Sequence, residues 1–156
     1  MRDLEVKIVQ MEPMRVAAAL GFGTNPETEA WDKIRAFGRS KGLLDDRASV
    51  RLFGFNNPSP TPGSPNYGYE QWMVVGPDVE AEGDIEIKEI PSRLYAVTQF
   101  KGLENIGRVW QGLVTWFEDS PYKKPAHWHQ CLEELLTSPD APTEEWVFNL
   151  YLPIAE

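Results

Sequence analysis

The chain has 156 residues, a formal net charge of −9, 42% hydrophobic residues and one cysteine, Cys131. That length buries one continuous core without disulfides or a structural metal; one cysteine excludes an internal disulfide framework, and the acidic balance argues against direct binding of nucleic-acid phosphates. No run reaches the roughly 18 apolar residues of a membrane helix, and Met1-Arg2-Asp3-Leu4-Glu5 alternates charge where a secretory leader is apolar, so a cytoplasmic protein without a membrane partner is expected.

Val6 to Met11 alternates apolar and polar residues, and Met14 to Leu20, after Pro13, is short and apolar; both are predicted strands. Asn25-Pro26-Glu27 starts a helix, with Asn as N-cap, Pro at the first helical position and an early Glu at the positive helix end. Ala30, Trp31, Ile34 and Phe37 recur at helical spacing until Gly42, a natural residue past a helix end. Val50 to Phe55 and Tyr67 to Val75 are strand-like, and the Pro-rich tract from Asn56 to Asn66 joins them as a long hairpin loop. The order then begins again. Ile85 to Ile90 and Leu94 to Phe100 are strands, Ile106 to Phe117 is a helix ending at Ser120-Pro121, and His129 to Leu136 and Trp146 to Leu152 are further strands.

A shift of 79 positions superposes Val6 on Ile85, Ile8 on Ile87, Ala17 on Ala96, Gly23 on Gly102, Trp31 on Trp110, Ile34 on Leu113 and Phe37 on Trp116. One offset serves strands and helix together, with drift expected in the later strands. The sequence therefore predicts a single α+β domain over 1–156 made of two halves, about 1–78 and 79–156, each of strand-strand-helix-strand-strand type.

The segments Ile90-Pro91-Ser92-Arg93-Leu94-Tyr95-Ala96-Val97, Phe100-Lys101-Gly102, Trp110-Gln111-Gly112-Leu113, Leu132-Glu133-Glu134-Leu135 and Leu150-Tyr151-Leu152-Pro153-Ile154, in this order, resemble the GyrI-like small-molecule-binding domain family, also called the AraC-type effector-binding domain. The resemblance covers nearly the whole chain. It implies duplicated βαββ-type halves with pseudo-twofold symmetry, antiparallel sheets, and two main helices flanking a central ligand groove. It also implies a ligand-contacting acid at Glu133.

A carboxylate in an apolar groove is costly unless paired, so one that is kept there serves a cation or a proton transfer. Glu133 is the preferred candidate, with Glu134 as the alternative. Six Trp, seven Phe and five Tyr exceed what a small core requires, so some are expected to face a ligand and to add cation–π attraction, roughly 0.5 to 2 kcal/mol per good contact. Trp31 and Trp110 hold equivalent places near the starts of the two helices and are candidate groove walls, although a Trp at helical spacing also suits a core. Trp72 and Tyr151 are candidates on strands that the resemblance places near the groove floor; alternation allows one face per strand, so Tyr69 or Met73 replaces Trp72 if the parity is reversed. Asn149 shares a face with Tyr151 and offers an amide.

His127, His129, Cys131 and Glu133 would share one strand face, but same-face residues lie about 6.6 Å apart, so the four span about 20 Å and cannot surround one ion. No metal and no cofactor is expected. Cys131 lacks a Cys-His context, and neither a Gly-x-Ser-x-Gly elbow nor a phosphate-binding loop occurs.

These features point to a stand-alone protein that captures bulky aromatic, often cationic compounds, as in multidrug sensing or sequestration. Relatives of this type are usually the sensory half of a transcription regulator, yet no basic helical module precedes the first strand, so either a separate regulator receives the signal or the protein sequesters the compound itself; a partner protein or a homodimer is the candidate assembly. The alternative is hydrolysis of reactive cyclopropane-bearing genotoxins, as in stand-alone relatives, with Glu133 as general acid/base. A lesser alternative is a protein-inhibitor role like that of gyrase-inhibiting relatives.

Overall fold

The computed structural model describes residues 4–42, 51–56, 62–126, 130–137 and 141–155. The chain forms two compact units: a central unit, Met14–Ile90, and a split unit, Met1–Pro13 with Pro91–Glu156. Each is an antiparallel sheet with one main helix.

The central unit contains β2 (Met14–Gly23), α1 (Pro26–Ser40), β3 (Leu52–Asn56), β4 (Tyr67–Val74) and β5 (Glu86–Ile90), paired in the order β3-β4-β2-β5. Small Ala17 and Ala19 on β2 let α1 approach closely, and its buried Ile34 and Phe37 pack with them and with Leu52 and Met73. Burying each large side chain there contributes about 1.5 to 3 kcal/mol. Asn25 stands at the N-cap, as expected, but its side chain makes no capping bond. Glu29 does the work at this end, since its carboxylate accepts the Phe22 backbone N–H at 3.1 Å. That bond, reinforced by Lys33, lowers the Glu29 pKa. Gly21 is required beneath the helix start, because a Cβ there would collide with the Pro26 carbonyl oxygen. The helix ends at Ser40, and Gly42 follows with a φ of 70°.

The split unit contains β1 (Val6–Met11), β6 (Arg93–Lys101), α2 (Ile106–Glu118), β7 (Leu132–Leu135) and β8 (Val147–Pro153), in the order β1-β6-β8-β7. Val109 and Leu113 are the buried side chains of α2. The outer strand of each sheet comes from the other half of the sequence: β1 pairs with β6, and β5 with β2.

Registers in the two sheets follow the same offset. Ile8 faces Ala96 and Ile87 faces Ala17; Ala17 faces Met73 and Ala96 faces Leu152; Phe53 faces Trp72 and Leu132 faces Tyr151. Adding 79 converts each central-unit residue of the last two comparisons into its split-unit counterpart, so the drift expected in the later strands does not occur there. Gly23 and Gly102, also 79 apart, both have positive φ, 137° and 94°.

Element ends differ from expectation where local bonds decide them. β2 runs past Leu20 to Gly23 because β4 continues to pair with it, and Asn56, expected in the loop, ends β3 opposite Tyr69. The penultimate strand is confined to Leu132–Leu135. Trp146 stays outside β8 because its N–H closes the turn at Thr143, and its indole donates to the Ala141 carbonyl at 2.9 Å. Val50, His127 and His129 lie outside the described residues.

Candidate functional site

Strand alternation separates the two glutamates of β7. Glu133 lies opposite Leu150, whereas Leu132 and Glu134 lie opposite Tyr151 and Asn149. The residues expected to form one site therefore divide between two faces of the split unit's sheet.

On the first face, half-buried Trp110 of α2 donates its indole N–H to a Glu133 carboxylate oxygen at 3.0 Å. Leu150, across from Glu133, is fully buried. Cys131 is two residues away on the same strand direction; burial first, and the Glu133 charge second, push its thiol up to about 11. A thiol so held is mostly protonated near neutrality and a poor nucleophile.

On the second face, Glu134 is 3% exposed, and the Tyr151 hydroxyl donates to it at 2.5 Å. The Tyr151 ring meets that of Tyr95 edge to face, with centroids 5.5 Å apart. Burial raises the Tyr95 pKa, opposed by Arg93, so the phenol stays neutral. Asn149, directly across from Glu134, accepts a bond from Gln99 at 3.1 Å. A carboxylate, two phenol rings and an amide are thus gathered on adjoining strands.

The other expected residues belong to the central unit. Trp31 packs at the margin of its core, and Arg35 lies 5.7 Å from the ring centroid. Tyr69 and Trp72 point to opposite faces by alternation; the Tyr69 ring fills the space above Gly54, where a Cβ would overlap its hydroxyl. Trp72 is buried and meets Phe55 edge to face at 4.9 Å. Its indole donates to Glu70 at 2.6 Å, and the same carboxylate oxygen takes the Lys88 ammonium at 2.8 Å.

Glu134 is the sequence's alternative to Glu133, and buried Glu70 and Tyr95 are not among its candidates. The Glu133-Glu134 doublet does not reveal which member faces the tyrosines; only the pairing with β8 does. Glu70 left a signal, as a lone carboxylate two residues from Trp72 within a strand otherwise free of charge.

A cleft of about 770 Å³ runs along α2, lined among others by Leu4, Arg108, Gln111, Trp116, Asp119 and Tyr122, and by none of the expected site residues. Among the described residues, no group of three or more His, Cys, Asp or Glu could hold a metal ion, and no helix is long and apolar enough to cross a membrane.

The model of the GyrI-like small molecule binding domain matches residues 4–155. The chain belongs to this family. Its fold is that of the EcmrR C-terminal domain (TM-score 0.72, 14% identity, 97% of each chain covered). It is also similar to a hydrolase from Listeria innocua (TM-score 0.71, 10% identity, 99% of this chain and 93% of that one). A third likeness is to SAV2435 bound to tetraphenylphosphonium (TM-score 0.52, 12% identity, 97% and 94%). At these identities the likenesses carry the fold alone. The chain spans 57% of the EcmrR chain seen in a DNA complex. No curated protein matches it. As a GyrI-like domain, the chain is a small-molecule-binding domain of α+β architecture.

Proposed function

We propose that this GyrI-like domain binds bulky, aromatic organic cations, with Glu134 receiving the charge and Tyr151, Tyr95 and Asn149 shaping the site. The observation that carries the reading is a carboxylate almost wholly removed from water and met by the neutral hydroxyl of Tyr151. A positive charge brought beside a carboxylate in such a low-dielectric setting gains more than it would in water. A delocalised cation does so while losing little hydration, and ring contacts add about 0.5 to 2 kcal/mol each. The tetraphenylphosphonium held by SAV2435, a protein of similar fold, is a ligand of this kind. Calorimetric titration with tetraphenylphosphonium should give saturable binding that Glu134→Gln weakens by about tenfold or more, ~1.4 kcal/mol. Equal affinity in the variant and the wild type would remove Glu134 from the role.

A second reading is favoured by the Trp110–Glu133 bond, since a half-exposed carboxylate beside an indole suits a general acid/base that opens a strained ring with water. Incubation with a cyclopropane-bearing genotoxin tests it. Ring-opened product lost in Glu133→Gln and retained in Glu134→Gln supports hydrolysis, and an unchanged compound excludes it.

A further inference from the structure

The central unit holds a buried carboxylate of its own, and that carboxylate already binds an alkylammonium. Glu70 is 3% exposed, and one oxygen takes both the Trp72 indole N–H at 2.6 Å and the Lys88 ammonium at 2.8 Å. Lys88 arrives from β5, where it pairs with Val16, and reaches across β2 to β4. Ala18, opposite Trp72, is the small residue of β2 on that path. The lysine side chain is itself 36% exposed, so part of it borders water. Leu20 lies directly across from Glu70, and Phe22 follows two residues later on the same face. Both are exposed apolar side chains, at 46% and 58%. An exposed apolar ridge thus leads to a buried anion whose present counter-ion is a tethered primary ammonium.

We propose that Glu70 is an exchange site for primary alkylammonium compounds: the ligand head replaces the Lys88 ammonium on Glu70 beside Trp72, and its chain lies over Leu20 and Phe22. The site stands apart from the Glu134 reading in residues and in ligand chemistry, since Lys88 supplies the template of a compact, hydrogen-bonding cation on an aliphatic stem. Exchange of one ammonium for another leaves the carboxylate paired before and after. The resident lysine lowers the apparent affinity by competing for the anion, so its removal should raise that affinity.

The test follows the Trp72 indole proton by NMR during titration of the full chain with n-octylammonium. Lys88→Met should bind on the order of tenfold more tightly than wild type, and Glu70→Gln/Lys88→Met, which removes both charges of the pair, should lose that gain. An indole signal unmoved by ligand in Lys88→Met, or equal affinity in the double variant, overturns the proposal. A wild-type measurement guards against misfolded variants: acetylation of Lys88 relative to that of the exposed Lys124, read by mass spectrometry, should rise when n-octylammonium is added, and an unchanged ratio contradicts exchange. Because tetraphenylphosphonium has no N–H to replace that of Lys88, binding at Glu134 can fail or succeed independently of these results.

Discussion

The two sheets share a register offset of 79 yet spend it on different chemistry. At the position of Glu133 the central unit has Gly54, and where Trp110 donates to a carboxylate, Trp31 packs against core and Arg35. At Glu134 the central unit has Phe55, and at Asn149 it has Glu70. Among the described residues, each sheet therefore keeps one buried carboxylate in the same cross-strand pair of positions, on opposite members of that pair. Glu134 accepts the hydroxyl of Tyr151, and Glu70 accepts the Trp72 indole N–H and the Lys88 ammonium. Val9 and Val97 occupy the split-unit places of Lys88 and Ala18, so the lysine path has no counterpart there.

The largest expected effect tests the shared part. Ile34 and Leu113 are fully buried and 79 apart, so Ile34→Ala and Leu113→Ala should each cost about 2 to 5 kcal/mol in denaturant unfolding. A cost confined to one of them would break the equivalence of the helices. A smaller effect probes the divergence at Gly54. Gly54→Ala must displace the Tyr69 ring and should destabilise by about 1 to 3 kcal/mol, whereas Glu133→Ala, at the matching place, creates no such collision and should be milder. Smallest is a chemical readout of the Glu133 face. Because burial and then the Glu133 charge hold the Cys131 thiol up to about 11, Glu133→Gln should lower that pKa and speed alkylation of Cys131 at mildly alkaline pH. An unchanged rate would separate the two residues.

Much of the fold was legible in sequence because the strands and helices signal themselves locally. Apolar spacing gave both helices, Pro26 and Gly42 marked the limits of α1, and the paired Gly23 and Gly102 carried the offset. The ends of β2, β3 and β8 were not legible, since each is set by partners distant in sequence or by a turn bond such as that of Trp146. The candidate site was legible as a list and not as a place. Asn149, Tyr151, Trp110 and Glu133 were all named, but one residue of strand parity decides whether a glutamate stands beside Trp110 or beside Tyr151, and that parity is fixed by pairing across β7 and β8. The Lys88–Glu70 pair was invisible for the same reason, since it spans 18 residues and a strand between.

Charge selectivity tests the central claim most directly. The ratio of affinities for tetraphenylphosphonium and the neutral triphenylphosphine oxide should favour the cation in the wild type and in Glu133→Gln, and should collapse in Glu134→Gln, where shape and the Tyr151 contact persist but the charge is gone. A preference for the cation that survives Glu134→Gln intact would contradict the assignment of the ligand-receiving charge to Glu134.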